Sequence, residues 1–236
     1  MSPSVEAPLH LLYGGTFDPL HRGHLAVARA ALDVTRASRL EFLPAADPPH
    51  RAAPGAAFAD RLDLIVAALA SEPAPSSGAW GVDAREGARQ GPSFTVDTLR
   101  DWRAGHGRRG ALGFVLGADA FLGLPTWRDW SALFDLAHLV VALRLGSDLE
   151  AMPLPLGDAV AHRWTRDPAD LHAAPAGRVY RLDLPLRQES ATAVRRALHG
   201  GVGEGEGMAA LAPESLPPAV AALVAARGLY GAAPRR

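Results

Sequence analysis

Between residues 14 and 25 the sequence reads GGTFDPLHRGHL, and its residue types suit phosphate chemistry. Gly14 and Gly15 let a backbone approach a ligand without side-chain obstruction, and Thr16 adds a hydroxyl. His21 and His24 stand three apart at the predicted start of a helix, so both can point to one side. A helix N-terminus presents N–H groups and the positive end of a dipole. Two imidazoles placed there make a compact site for a polyphosphate. The parts have plainer readings: the double glycine as a turn, Asp18-Pro19 as a structural turn leading into the helix, the two histidines as a metal pair lacking an evident third ligand.

Composition restricts the rest. All 24 basic residues are arginine, so neither a Schiff-base lysine nor a lysine-bearing P-loop is available. A phosphate site must use arginine, histidine, hydroxyls and backbone N–H groups. There is no cysteine, which excludes disulfides and thiolate metal sites. The net charge of -1 argues against a broad nucleic-acid-binding surface. No apolar run reaches the roughly 20 residues that span a bilayer, and the start MSPSVEAP lacks the character of a signal peptide. The expectation is a cytoplasmic protein with no membrane or nucleic-acid partner; a homo-oligomer is compatible with the sequence but not required by it.

The elements that must position these residues follow from apolar patterning. Leu9 to Tyr13, Leu40 to Leu43, Leu112 to Leu116 and Leu139 to Leu143 read as buried strands, with weaker strands at Trp80 to Asp83 and Val179 to Leu184. Leu25, Ala28 and Leu32 share a helical face, and Leu62, Ile65, Val66 and Leu69 fit another at i, i+3, i+4, i+7. Val96 and Leu99 belong to a helix begun near Ser93; Thr192 to Leu198 and Pro218 to Arg227 also read as helices. Gly200 to Gly207 reads as a loop before the last helix. The 236 residues therefore predict an α/β fold, a Rossmann-like doubly wound parallel sheet with a small C-terminal helical part. The expected division is a tail over 1–8, the core over 9–188, a C-terminal helical segment over 189–231 that completes the phosphate site, and a tail over 232–236. Ligands of such sheets bind beyond the carboxyl ends of the strands. That places the chemistry at Gly14 to His24, Pro44 to Arg51 and Gly117 to Asp119.

Several segments carry plausible chemistry there. Ser190 and Thr192 precede a helix with Arg195 one turn inside, a set that holds phosphates or merely caps the helix. Asp119 can accept from a ribose hydroxyl or cap a helix. Trp127 can stack on an aromatic ring or fill core.

The string GTFDPLHRGH resembles the signature of the HxGH nucleotidyltransferases. With PPHR at 48–51, GPSFTVDTL at 91–99, GADAFLGLPTWRDW at 117–130, SATAVRR at 190–196 and GLY at 228–230, the order resembles bacterial nicotinate-mononucleotide adenylyltransferase over nearly the whole chain. The resemblance implies AMP transfer from ATP to nicotinate mononucleotide, giving nicotinate adenine dinucleotide and pyrophosphate in NAD biosynthesis. It implies ATP binding by Gly14, Gly15, Thr16, Phe17, His21, His24, Gly117, Asp119, Ser190, Thr192 and Arg195. His21, His24 and Arg195 would be the catalytic set. Thr16, His50, Arg51, Ser93, Thr95, Trp127 and Arg128 would hold the mononucleotide. Mg²⁺ would arrive with ATP, ligated by phosphates and water and not by protein side chains. Two positions depart from the family pattern: Glu189, where an apolar residue is usual, and Arg128, often aromatic.

Other readings are a phosphopantetheine adenylyltransferase, a non-catalytic nucleotide-binding regulator, and a metal-binding structural protein. The LPTWRDW segment and the chain length argue against the first. Both motif histidines are present, which argues against the second, and the third rests on those histidines alone.

Overall fold

The computed structural model describes residues 8–47, 53–143, 149, 152–184, 191–199 and 215–232. Strands β1 (His10–Gly15), β2 (Arg39–Pro44), β3 (Ala79–Val82), β4 (Leu112–Gly117), β5 (His138–Leu143), β6 (Trp164–Thr165) and β7 (Val179–Asp183) form one sheet in the order β3-β2-β1-β4-β5-β7-β6. Every pairing is parallel. Among the described residues the helices are α1 (Arg22–Thr35), α2 (Phe58–Ser71), α3 (Thr95–His106), α4 (Ala118–Leu122), α5 (Leu133–Leu136), α6 (Leu154–Val160), α7 (Ala191–His199) and α8 (Pro218–Arg227).

Alternation along β1 builds both cores. Leu11 and Tyr13 face a cluster with Ala28 and Leu32 of α1, Ile65 of α2 and Val220 of α8. Leu12 faces the opposite cluster, with Leu99 of α3, Phe121 of α4 and Phe134 of α5. Such period-two alternation is what a strand covered on both faces requires. From β1 the chain winds outward through β2 to β3, then returns across the sheet to β4 and continues the other way. The reversal lies between β1 and β4, and the crevice above their carboxyl ends is where this topology binds ligands.

The expected strands are all present. The Ser93-proximal helix begins at Thr95, and the last helix spans the expected residues. The buried face of α2 differs from its apolar pattern: it consists of Arg61, Leu64, Ile65 and Ala68, while Val66 is exposed. The stripe is turned by one residue because an arginine occupies the innermost position. Its guanidinium is surrounded by backbone carbonyls, so the charge finds acceptors where an apolar side chain would have left them unpaired. The stretch 200–207 lies outside the described residues.

Candidate active site

At the carboxyl end of β1 the chain passes through Thr16 and Phe17 to α1. His21 is the N-cap of α1 and almost fully buried. Its backbone N–H donates to His24 Nδ1 at 3.3 Å, and the two rings stack with centroids 3.7 Å apart. This geometry decides the tautomer. With Nδ1 accepting, a neutral His24 carries its proton on Nε2, which makes that atom a donor. Phe17 and Tyr13 stand edge-on to the His24 ring at 5.0 and 6.2 Å, fixing its orientation. The two glycines each sit against an aromatic ring. A Cβ on Gly14 would lie 2.3 Å from the Phe114 ring, and one on Gly15 would lie 2.9 Å from Phe17.

Tyr13, Phe17, His21 and His24 line a cleft of ≈ 470 Å³ together with Gly117, Asp119, Thr192 and Arg195. Gly117 is the N-cap of α4 and Asp119 lies in that helix's first turn, which removes the capping role for Asp119. Arg195 sits one turn into α7. It donates to the Asp18 carbonyl at 2.7 Å and approaches the Asp18 carboxylate at 3.6 Å. Asp18 is itself buried and accepts from the N–H groups of Gly55 and Ala56 at 2.7 and 3.2 Å. It therefore ties together the motif loop, the 55–56 segment and α7. The hydroxyl of Tyr230, in the closing GLY, lies in the same environment; burial first, then the Asp18 carboxylate, pushes its pKa well up.

A second cleft of ≈ 270 Å³ opens on the other side of the same loop. Gly14, Gly15, Thr16 and Asp119 line both clefts. The second is completed by Ser93, Thr95, Trp127 and Arg128. Ser93 is buried, and its N–H bonds the Asp47 carbonyl at 3.0 Å. Trp127 is half-buried at the rim, with one side against core and one toward the cleft. Arg128 is about half exposed; it lies 3.5 Å from Asp97 and its guanidinium covers the Phe94 ring at 4.8 Å. Arg128 thus lines the cleft yet stays wet.

One ionisable residue of the second cleft escaped the sequence reading. Glu86 is buried in a short 3₁₀ turn, Arg85–Ala88, and reaches into the second cleft. One oxygen accepts from the Thr98 hydroxyl at 2.7 Å and the other from the Ala46 N–H at 3.4 Å. Burial raises its pKa despite these donors. Nothing in the spacing of REGARQ marks this glutamate as interior. His50, Arg51, Ser190 and Glu189 lie outside the described residues. Among the described residues, no three His, Asp or Glu side chains are grouped to hold a metal ion, and no helix is long and apolar enough to cross a membrane.

Residues 12–197 match the cytidylyltransferase-like family. A Stenotrophomonas maltophilia protein named probable nicotinate-nucleotide adenylyltransferase is 48% identical over 94% of this chain and 96% of its own. One of the same name from Xylella fastidiosa is 42% identical over 94% and 96%, and another from Marinobacter nauticus is 40% identical over 96% and 98%. In fold, the chain is similar to Plasmodium falciparum nicotinic acid mononucleotide adenylyltransferase complexed with NaAD, with a TM-score of 0.73, 13% identity, and coverage of 97% of this chain and 100% of that one.

Proposed function

This chain belongs to the cytidylyltransferase-like family and, within it, to the nicotinate-nucleotide adenylyltransferases, and from that premise we propose how its two joined clefts carry the reaction. The enzyme transfers AMP from ATP to nicotinate mononucleotide, forming nicotinate adenine dinucleotide and pyrophosphate in NAD biosynthesis. The observation that carries the assignment of ends is the shared wall: Gly14, Gly15, Thr16 and Asp119 face both clefts. ATP occupies the larger cleft and the mononucleotide the smaller, so the two reacting phosphates meet over the Thr16 turn.

The nucleophile is the mononucleotide phosphate. Its second pKa is about 6, so it is mostly dianionic at neutral pH and needs no general base. It attacks the α-phosphorus in line as the bond to the β,γ-pyrophosphate breaks. Catalysis is then positioning and charge stabilisation. His24 donates through Nε2, with His21 beside it, to the oxygens that gain charge. Arg195 and Thr192 hold the leaving pyrophosphate. Mg²⁺ arriving with ATP would be held by phosphate oxygens and water, with no protein side chain as ligand, and would screen the phosphate charge. Asp119 takes a ribose hydroxyl, and Trp127 covers the pyridine ring. Cytoplasmic residence belongs to the same proposal.

A pyrophosphate-release assay with ATP and a panel of acceptors tests the reading. Nicotinate mononucleotide should be used far better than phosphopantetheine or glycerol phosphate; a preference for either of those would overturn it.

Two further outcomes are expected. Arg195→Ala should raise KM for ATP about tenfold, the scale of one charge-assisted bond at a partly exposed site. KM for the mononucleotide should stay within a factor of about two, since Arg195 lines only the larger cleft. Separate substrate titrations read both values, and a loss confined to the mononucleotide would reverse the assignment of the clefts. Arg128→Ala should change the discrimination between nicotinate and nicotinamide forms by less than about threefold. Its guanidinium is half exposed and shared with Asp97, and such surface charges are worth little. A tenfold loss of discrimination would show that it turns inward on the substrate.

A further inference from the structure

Arg61 lines neither cleft, yet it touches the backbone that builds both. It is 1% exposed. Nη1 donates to the carbonyls of Thr16 at 2.7 Å and Ala45 at 2.8 Å. Nη2 donates to Ala46 and Nε to Ala56, each at 3.2 Å. The guanidinium therefore joins the loop after β1, the loop after β2 and the approach to α2. The Asp18 carboxylate offsets its charge through space, while accepting from Gly55 and Ala56 and pairing with Arg195.

The Thr16 bond has a directional consequence. A trans peptide is planar, with its C=O and N–H antiparallel. If the Thr16 carbonyl points to Arg61, the Phe17 N–H points the opposite way, and Thr16 and Phe17 both line the larger cleft, which Arg61 does not. Phe17 also has φ 49°, in the left-handed region that a non-glycine residue holds only when its surroundings over-determine it. The Arg61 bond is one such determinant, and the edge-on packing of Phe17 with Tyr13 and His24 is another.

We propose that Arg61 is a positioning residue for AMP transfer: its buried guanidinium locks the Thr16–Phe17 peptide so that the Phe17 N–H faces the reacting phosphate of ATP. This rests on the reaction and cleft assignment given above. A lysine at 61 would keep the charge but lose the planar fork that reaches several carbonyls at once. A small misplacement of a group aimed at the transition state costs on the order of 10²-fold in rate.

Arg61→Lys and Arg61→Met should therefore lower kcat by about tenfold to a hundredfold. KM for each substrate should move much less, with assays run well below each variant's Tm. A merely structural arginine would lower Tm and leave kcat at permissive temperature unchanged, and that result would overturn the proposal. A second measurement needs no variant. In ¹⁵N-labelled wild-type protein, saturation with the α,β-methylene analogue of ATP should shift the Phe17 amide resonance; an unmoved resonance would overturn the proposal even if both variants fail to fold. Absence of AMP transfer in the wild-type enzyme would sink the assigned reaction, whereas normal kcat in wild type and Arg61→Lys alike would sink only the role of Arg61.

Discussion

His24→Ala should slow single-turnover AMP transfer by about 10²–10³, the usual cost of removing one donor aimed at developing charge. The ring is held in place by the His21 N–H on Nδ1, by stacking on His21 and by the edges of Phe17 and Tyr13. The substitution also removes one partner at the start of α1. A lost N-terminal cap costs about 0.5–2 kcal/mol, against a typical domain stability of about 5–15 kcal/mol. The fold should survive, and circular dichroism at the assay temperature checks that it does. The rate loss should appear in the chemical step measured with both substrates saturating. A near-native single-turnover rate would remove His24 from the chemistry altogether.

The enzyme should prefer the nicotinate form of the mononucleotide to the nicotinamide form by roughly ten- to a hundredfold in kcat/KM, the cost of leaving a buried polar group unpaired. Nicotinate presents a carboxylate, and nicotinamide replaces one of its oxygens with an N–H₂ donor. Phe94 is the N-cap of α3, so the N–H groups of Thr95 and Val96 begin the helix with no intrahelical acceptor. The positive end of the α3 dipole adds to them. Glu86 opposes this, since a carboxylate in the cleft wall would repel nicotinate and welcome an amide. Two facts reduce its weight. Its oxygens already take the Thr98 hydroxyl and the Ala46 N–H, and burial moves it toward the neutral form. The donors at α3 should therefore decide the selectivity. Trp127→Ala, which uncovers the ring common to both forms, should damage both. Equal kcat/KM for the two mononucleotides would show that Glu86, not the start of α3, sets the character of the pocket.

Much of this arrangement was legible in the sequence because it rests on short-range patterns. Leu40 to Leu43 and Leu139 to Leu143 are apolar runs too short for a helix and bounded by turns. The Gly14 to His24 string announces a strand, a turn and a helix N-terminus in direct succession. What escaped depends on partners distant in sequence. Arg61 looks like a solvated helix residue until the carbonyls of Thr16, Ala45, Ala46 and Ala56 surround it, and its burial rotates α2 by one position. Glu86 becomes interior only because Thr98 and the end of β2 close around it. Strand β6 has two residues, too few for any periodicity, and pairs with β7 at the sheet edge. The apolar stripe of α2 failed for the same reason as Glu86: a polar residue can replace core when the fold itself supplies its hydrogen bonds.

The division of labour between the two clefts has an evolutionary reading. On the proposed cleft assignment, the AMP-transferring side is built from the first strand's loop and from α7, while the acceptor side is completed by Glu86, Ser93, Thr95, Trp127 and Arg128. Those five come from two excursions, one after β3 and one after α4. Loops on a rigid sheet tolerate replacement far better than the strands beneath them. A lineage could therefore exchange these two excursions and inherit a new acceptor while keeping the nucleotide-activating half intact. The sheet acts as a chassis on which one half of a transferase is constant and the other is interchangeable.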